Sequence, residues 1–474
     1  PDPDPRYTTT PPAVDRSLGV PMPDEFPELK FPELQRAQLS NGTSVILAER
    51  HDVPVVQMSY EFPGGYSADQ DRKLGTSSFT MSMLDEGAGE LGALEFADRA
   101  EALGAHLSAG ASLDAGNAYL SALRENLDPS LALFADMVRR PRFDETAIRA
   151  TWIAGIRQEQ AQPNGAALRV LPPLLYGDSH PYGIPFSGSG TEASVSALER
   201  DDLVAFHRDR VRPEGATLIV VGDTTLAEIM PLLEQHFGDW RGEGEPLPAP
   251  QVGDVQRPAG QRVFLVDQPG AVQANIFTGQ VVPSSRDPGA NRFDIANAVL
   301  GGAFSSRLNM NLREDKGWSY GAYSMSLAAL GPRPWLAFAA VQIDRTEDSL
   351  REMQREIGEY ASGHAPATAA EVERIRSQRI RRLPGSYETA SAVLGEISGI
   401  VRYGRPDDYV SRLRAEIEAM TPEEVAAAAA TLDPAALTWV VVGDLDTIEA
   451  PIRALGWGEV SVVDADGRPV AAGD

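Results

Sequence analysis

Leu300–Ser324 reads LGGAFSSRLNMNLREDKGWSYGAYS, and the fold is decided in this stretch. Gly301 and Gly302 loosen its entry. Phe304, Leu308 and Leu312 recur at a spacing of four, which gives one apolar helical face. Lys316 followed by Gly317 is a helix stop: a cation in the last turn, then the residue that tolerates positive φ. Beyond it Tyr320, Ala322 and Ser324 alternate with Gly321, Tyr323 and Met325 at strand period. The pattern predicts helix, tight turn, strand. Arg313 then lies in the last helical turn and Tyr320 at the strand start, so a guanidinium and a phenol are expected to face a common point.

Working outward, the chain repeats itself. Thr217-Leu-Ile-Val-Val-Gly-Asp223 matches Thr438-Trp-Val-Val-Val-Gly-Asp444, and Gly222 and Gly443, like Pro213 and Pro434, stand 221 residues apart. Helices expected at 198–206 and 145–160 have counterparts at 420–428 and 368–382. In the first half, 43–47, 53–62, 106–112, 118–123 and 217–223 read as strands, and 74–86, 94–104, 131–138 and 195–211 as helices. Residues 241–260 are rich in Gly, Pro and Glu, a linker composition. The expected organisation is an extended leader 1–38, a domain 39–240, a linker 241–260 and a second domain 261–474. A strand, helix, helix, strand pattern duplicated around a linker implies an α+β chain of two homologous domains, each an antiparallel-rich sheet with helices on one face.

Composition narrows the function. At 474 residues the chain exceeds one ordinary core. Lys plus Arg number 42 against 68 Asp plus Glu, for a net charge of −26, which disfavours nucleic acid as a partner because nothing neutralises phosphate on that scale. No apolar run is long enough to span a bilayer. The absence of cysteine excludes disulfides, thiolate metal sites and a cysteine nucleophile. Nine prolines fall in the first 32 residues, so this leader is expected to be extended. Such a leader suits an exported bacterial protein, and a periplasmic location is expected, with the cytoplasm as the alternative.

The motif L-R-E-x-K-G-x-x-Y, preceded by L-G-G-x-x-S-S-R-L, resembles the second-domain signature of the pitrilysin/insulinase family, the inverzincin zinc peptidases, and is similar to that of mitochondrial processing peptidase. The resemblance runs from about residue 39 to 450 and includes His180-Pro-Tyr182 and the Pro213 to Asp223 run. It implies a duplicated two-domain fold. It also implies that Arg313 and Tyr320 hold the substrate backbone and support a tetrahedral intermediate; an always-charged fork and a phenolic donor suit a carbonyl oxygen that becomes negative. Ala105, His106, Leu107 and Ser108 match the family's substrate-binding edge strand, to which an extended peptide adds.

The family's zinc motif H-x-x-E-H is missing. In register with it stand Ser78 and Ser82 at the two His positions and Met81 at the Glu position. By the resemblance Glu159, 77 residues after Ser82, is left at the third ligand position. One carboxylate with neutral hydroxyls does not hold Zn²⁺ tightly. The six histidines, His51, His106, His180, His207, His236 and His364, form no i,i+3 or i,i+4 pair that could replace it. The Ser-rich helix 76–82 lacks an activating base, Gly317-x-Ser319-x-Gly321 has helix and strand in the reverse order for a nucleophile elbow, and Ser187–Gly190 lacks the Lys of a phosphate cradle. No metal is therefore expected in this chain. The expectation is the subunit without zinc of a heterodimeric peptidase: a homologous partner with an intact H-x-x-E-H supplies the zinc, this chain supplies Arg313 and Tyr320, and the substrates are unfolded peptides. The alternative is an inactive structural core or peptide-binding protein; a peptidase using another metal ranks third.

Overall fold

A computed structural model of the protein describes residues 27–144 and 148–470. Most of the Pro-rich leader (1–26) and the start of the helix expected from Glu145 (145–147) lie outside the described residues.

Two six-stranded sheets organise the chain. The first contains β1 (Gln35–Gln38), β2 (Ser44–Glu49), β3 (Val55–Pro63), β4 (His106–Ala111), β5 (Ala115–Leu123) and β6 (Thr217–Gly222), in the order β1-β2-β6-β3-β5-β4. The second contains β7 (Arg262–Asp267), β8 (Gln273–Val282), β9 (Ser319–Ser326), β10 (Arg333–Gln342), β11 (Thr438–Gly443) and β12 (Glu459–Val463), in the order β9-β10-β8-β11-β7-β12. Strand for strand, β2-β6-β3-β5-β4 maps onto β7-β11-β8-β10-β9. In both, the pair containing the repeated Val-Val-Gly strand, β2/β6 or β7/β11, is parallel, and the three following pairs are antiparallel. The outermost strands break the symmetry: β1 is antiparallel to β2, whereas β12 is parallel to β7.

The repeated Thr-x-x-Val-Val-Gly strands are continuously apolar because both of their faces are buried. Along β6, Leu218 and Val220 point into the first domain's own core, while Ile219 and Val221 meet Val393, Ile397 and Ile400 of the helix Ala390–Tyr403 from the second domain. Along β11, Trp439 and Val441 point into the second core, while Val440 and Val442 meet Ala166, Val170 and Leu171 of the helix Pro163–Tyr176 from the first. Each sheet thus carries its own helices on one face, as expected, and a helix lent by the other half on the second face. That second layer is missing from the sequence reading. Pro172 and Pro173 lie inside the lent helix of the first half, where a sequence pattern argues against one. Each fully buried Val, Leu or Ile in these layers is worth about 1.5–3 kcal/mol, so the two halves form one continuous apolar body.

Polar contacts reinforce the join. Asp114 accepts hydrogen bonds from Tyr182 Oη at 2.6 Å and from Leu330 N at 2.8 Å, and Gly331 N donates to Tyr182 Oη at 3.0 Å. The Tyr of His180-Pro-Tyr182 is therefore a fully buried strut between halves. Arg36 pairs with Asp407, and Arg402 with Glu61.

Four local expectations are corrected. Ordered sheet structure begins in the expected leader, at Gln35 rather than Leu39, because residues 35–38 pair with β2. The helix expected over 74–86 is regular only across Thr76–Ser82. The stretch 195–211 splits into Glu192–Ser196 and Arg200–Arg210, each opened by its own capping box. The helix preceding Gly317 starts at Arg307 and closes as a π-turn, Met310–Asp315, so Phe304 precedes it and is exposed, while Leu308 and Leu312 are buried.

Candidate functional site

The corner that carries Arg313 and Tyr320 is assembled from three segments. The helix Ala290–Leu300 ends at Gly301, where the chain crosses β9 so closely that a Cβ would lie 2.4 Å from Ser324 Oγ. Ser324 N donates to Gly301 O at 2.9 Å. Asn297 locks the same crossing: its Oδ1 accepts from Ser324 Oγ at 2.6 Å and Trp335 Nε1 at 2.7 Å, and its Nδ2 donates to Ser324 O at 3.1 Å. Asn309, fully buried, ties the loop to the strand: Nδ2 donates to Phe304 O at 2.7 Å, and Oδ1 accepts from Ala322 N at 3.3 Å.

The strand start does not follow the simple alternation expected of it. Ser319 pairs with Val341 and Ala322 with Ala339, so β9 has one residue more than its partner over this interval, a β-bulge. The Ser319 hydroxyl fills the gap, donating to Ala340 O at 2.6 Å and accepting from Gly321 N at 3.1 Å. The bulge turns Tyr320 away from the face of Ala322 and Ser324. Those two are buried, whereas Tyr320 is 89 % exposed.

Arg313 and Tyr320 are joined through the turn by Gly317 N to Arg313 O at 3.1 Å and Trp318 N to Leu312 O at 2.9 Å. They share one end of the second sheet. The Arg313 guanidinium lies 4.7 Å above the Phe304 ring, and its Nε is 3.4 Å from Glu314, its sequence neighbour. Arg307, by contrast, is structural: it pairs with Glu371 at 2.7 Å, donates to the carbonyls of Ala365 and Pro366, and lies over the Tyr360 ring. This pairing, with the Thr368 cap, outweighs burial and lowers the Glu371 carboxyl to about 2.

In the first sheet, residues 106–108 lie on β4, an edge strand whose outer side is unpaired among the described residues. His106 is exposed, Leu107 is buried and Ser108 is half-buried, opposite Ser121, Leu120 and Tyr119; Ala105 leads in from the preceding turn. The helix Thr76–Ser82 packs against this strand. The first sheet therefore presents an unpaired edge strand with the helix Thr76–Ser82 packed beside it, among the described residues.

The metal positions on that helix do not fit zinc. Met81 is fully buried against Gly116, and Ser82 Oγ donates to Phe79 O at 2.9 Å. Among the described residues the Ser78 hydroxyl is buried without a partner, and it faces the backbone of the loop Ser187–Gly190; a Cβ at Gly188 would lie 2.7 Å from Ser78 Oγ and 2.5 Å from the Tyr66 ring. Gly188, at φ 65°, is therefore a close-approach glycine. Glu159 is engaged elsewhere: Oε2 accepts from Arg169 Nη1 at 2.9 Å, Ser189 Oγ at 2.8 Å and Ser187 Oγ at 3.0 Å. Among the described residues no group of three or more His, Asp or Glu side chains is arranged to hold a metal. Sequence reasoning missed Asp69, whose carboxylate oxygens accept Gly75 N and Ser77 N, each at 2.9 Å, at the head of this helix. Burial drives its pKa up to about 8.

A family model described as insulinase (peptidase family M16) matches residues 44–173, and one described as the peptidase M16 inactive domain matches residues 197–379. The chain belongs to the insulinase, or M16, peptidase family. Among its relatives are an uncharacterized zinc protease of Mycobacterium bovis, 26 % identical over 75 % of this chain and 80 % of that one, and a protein of Helicobacter pylori named as a non-peptidase homolog, 21 % identical over 86 % and 92 %. The M16 fold recurs in a crystal structure of a peptidase M16 inactive domain from Pseudomonas fluorescens, with a TM-score of 0.78, 24 % identity and coverage of 87 % of this chain and 98 % of that one. A chain of complex III2 from Candida albicans superposes with a TM-score of 0.70 at 14 % identity, covering 87 % and 97 %.

Proposed function

We propose that this chain is the subunit without zinc of a two-chain M16 peptidase that hydrolyses unfolded peptides. The observation that carries the reading is an asymmetry. The metal positions hold two hydroxyls and a thioether, while Arg313 and Tyr320 stand on a corner fastened by two buried asparagines and a bulge that turns the phenol outward. Upkeep of such a corner has a purpose if a partner's metal works against it. The partner bears the intact H-x-x-E-H and its zinc, which activates the attacking water. The Arg313 guanidinium and the Tyr320 hydroxyl donate to the scissile carbonyl oxygen as it becomes negative, and β4 with its Ala105–Ser108 segment lends main-chain groups to an extended peptide. The test is to mix this chain with the H-x-x-E-H homologue from the same genome and compare peptide cleavage with each chain alone. Cleavage that needs both chains is expected; a partner equally active alone would overturn the reading.

A second reading, an inactive structural or peptide-binding homologue, draws support from the relative named as a non-peptidase homolog and from the likeness to a chain of complex III2. It predicts no gain of cleavage in any mixture. The Pro-rich leader supports a periplasmic location; fractionation of the native host checks it, and a cytoplasmic pool would refute it.

A further inference from the structure

We propose that Phe304 is a positioning residue for Arg313: its ring is the platform on which the guanidinium is aimed. The proposal rests on the reading that Arg313 grips substrate. Phe304 is 57 % exposed, a large ring left in water at the one corner where a flexible cation has to be held. Its loop is fixed from two sides, by Asn309 Nδ2 on Phe304 O and by Arg374 Nη2 on Ser305 O at 3.3 Å.

The manner of holding matters. A carboxylate partner would orient Arg313 by occupying its N–H donors, the same donors a substrate carbonyl needs. A ring beneath the guanidinium engages only its π face and leaves the donor edge free. Among the described residues the Arg313 guanidinium makes no hydrogen bond, and its ion-pair contact is the 3.4 Å approach of Nε to Glu314. Isolated surface rings are ordinary, but this one is pinned through its own carbonyl to the residue that also anchors the Tyr320 strand. The three parts of the corner are therefore set against one another through Asn309.

Two measurements test the proposal. In the isolated chain, the Arg313 Nε–Hε NMR resonance should carry a ring-current shift that is lost in F304L and kept in F304W; an unchanged resonance in F304L overturns the stacking outright. In the assembled pair, F304L should lower kcat/KM about two- to five-fold, the exposed cation–π range, with F304W restoring it. In an R313A background F304L should have no further effect. A loss of equal size in both backgrounds would show that Phe304 acts by another route and would overturn the proposal. R313A as active as wild type would instead sink the underlying reading, and the proposal with it.

Discussion

Among the described residues Arg169 carries the most side-chain hydrogen bonds, and its replacement by Met has a calculable result. The side chain is 1 % exposed. Nη1 donates to Glu159 Oε2 and to Ser189 Oγ at 3.0 Å; Nη2 donates to Gly190 O at 2.7 Å and Asp466 Oδ1 at 2.6 Å; and Nε reaches the same Asp466 oxygen at 3.1 Å. Asp466 belongs to the other half. It sits in a C-terminal turn shaped by Asp464, whose Oδ1 accepts Asp466 N and Arg468 N, each at 2.9 Å. Arg169→Met keeps most of the volume but removes every donor, leaving Asp466, with 14 % of its side chain exposed, with the Gln160 amide but no cation. Removing one member of a buried charge pair costs about 3–5 kcal/mol. Asp466→Ala should cost less, about 1.5–3 kcal/mol, because Arg169 keeps Glu159, a charge-assisted partner on its own half. The double variant should cost less than the sum of the two, since Asp466→Ala removes the carboxylate that Arg169→Met leaves without its cation. Urea unfolding at matched m-values measures all three, and limited proteolysis should cut residues 464–470 first in Asp466→Ala. Should Arg169→Met shift stability by less than about 1 kcal/mol, the clasp between halves would be ornamental and the reasoning wrong.

Tyr320→Phe should lower turnover of the assembled pair by about 10²-fold or more without changing stability, on the scale of losing one oxyanion donor; steady-state kinetics beside a urea curve decides. Gly301→Ala places a Cβ 2.5 Å from Ser324 N, so it should cost about 1–3 kcal/mol as overpacking and move the Arg313 corner as well. Asp69 gives a pH dependence. Its folded pKa of about 8 exceeds the ordinary aspartate value of 3.8, so its contribution is complete below about pH 4 and is lost as pH rises through about 8. Wild-type stability should therefore fall relative to Asp69→Asn between pH 5 and 8, by up to about 1.4 kcal/mol per unit; parallel pH profiles would contradict it.

What could be read from the residues, and what could not, divides along a physical line. Local signals were legible: the Lys316–Gly317 stop, the paired Val-Val-Gly strands and the missing ligands at Ser78, Met81 and Ser82 need only neighbours in sequence. Features that depend on distant partners were not. The bulge that frees Tyr320 is a mismatch between β9 and β10, and no periodicity within β9 announces it. Glu159 looked like a leftover ligand, and only the fold brings Arg169, Ser187 and Ser189 to it. The exchange of helices between halves hid behind Pro172 and Pro173. Yet the continuous apolarity of β6 and β11 did carry its trace, because a strand covered on one face only should alternate. That trace bears on function. Ala390–Tyr403 is seated on the first sheet at β2 and β6 and Pro163–Tyr176 on the second at β8 and β11, while alternate residues of β4, β5 and β9 stay exposed or part-exposed. Among the sheet edges, the two equivalent ones, β4 and β9, are those that carry the Ala105–Ser108 segment and Tyr320, and an edge strand presents unpaired main-chain groups.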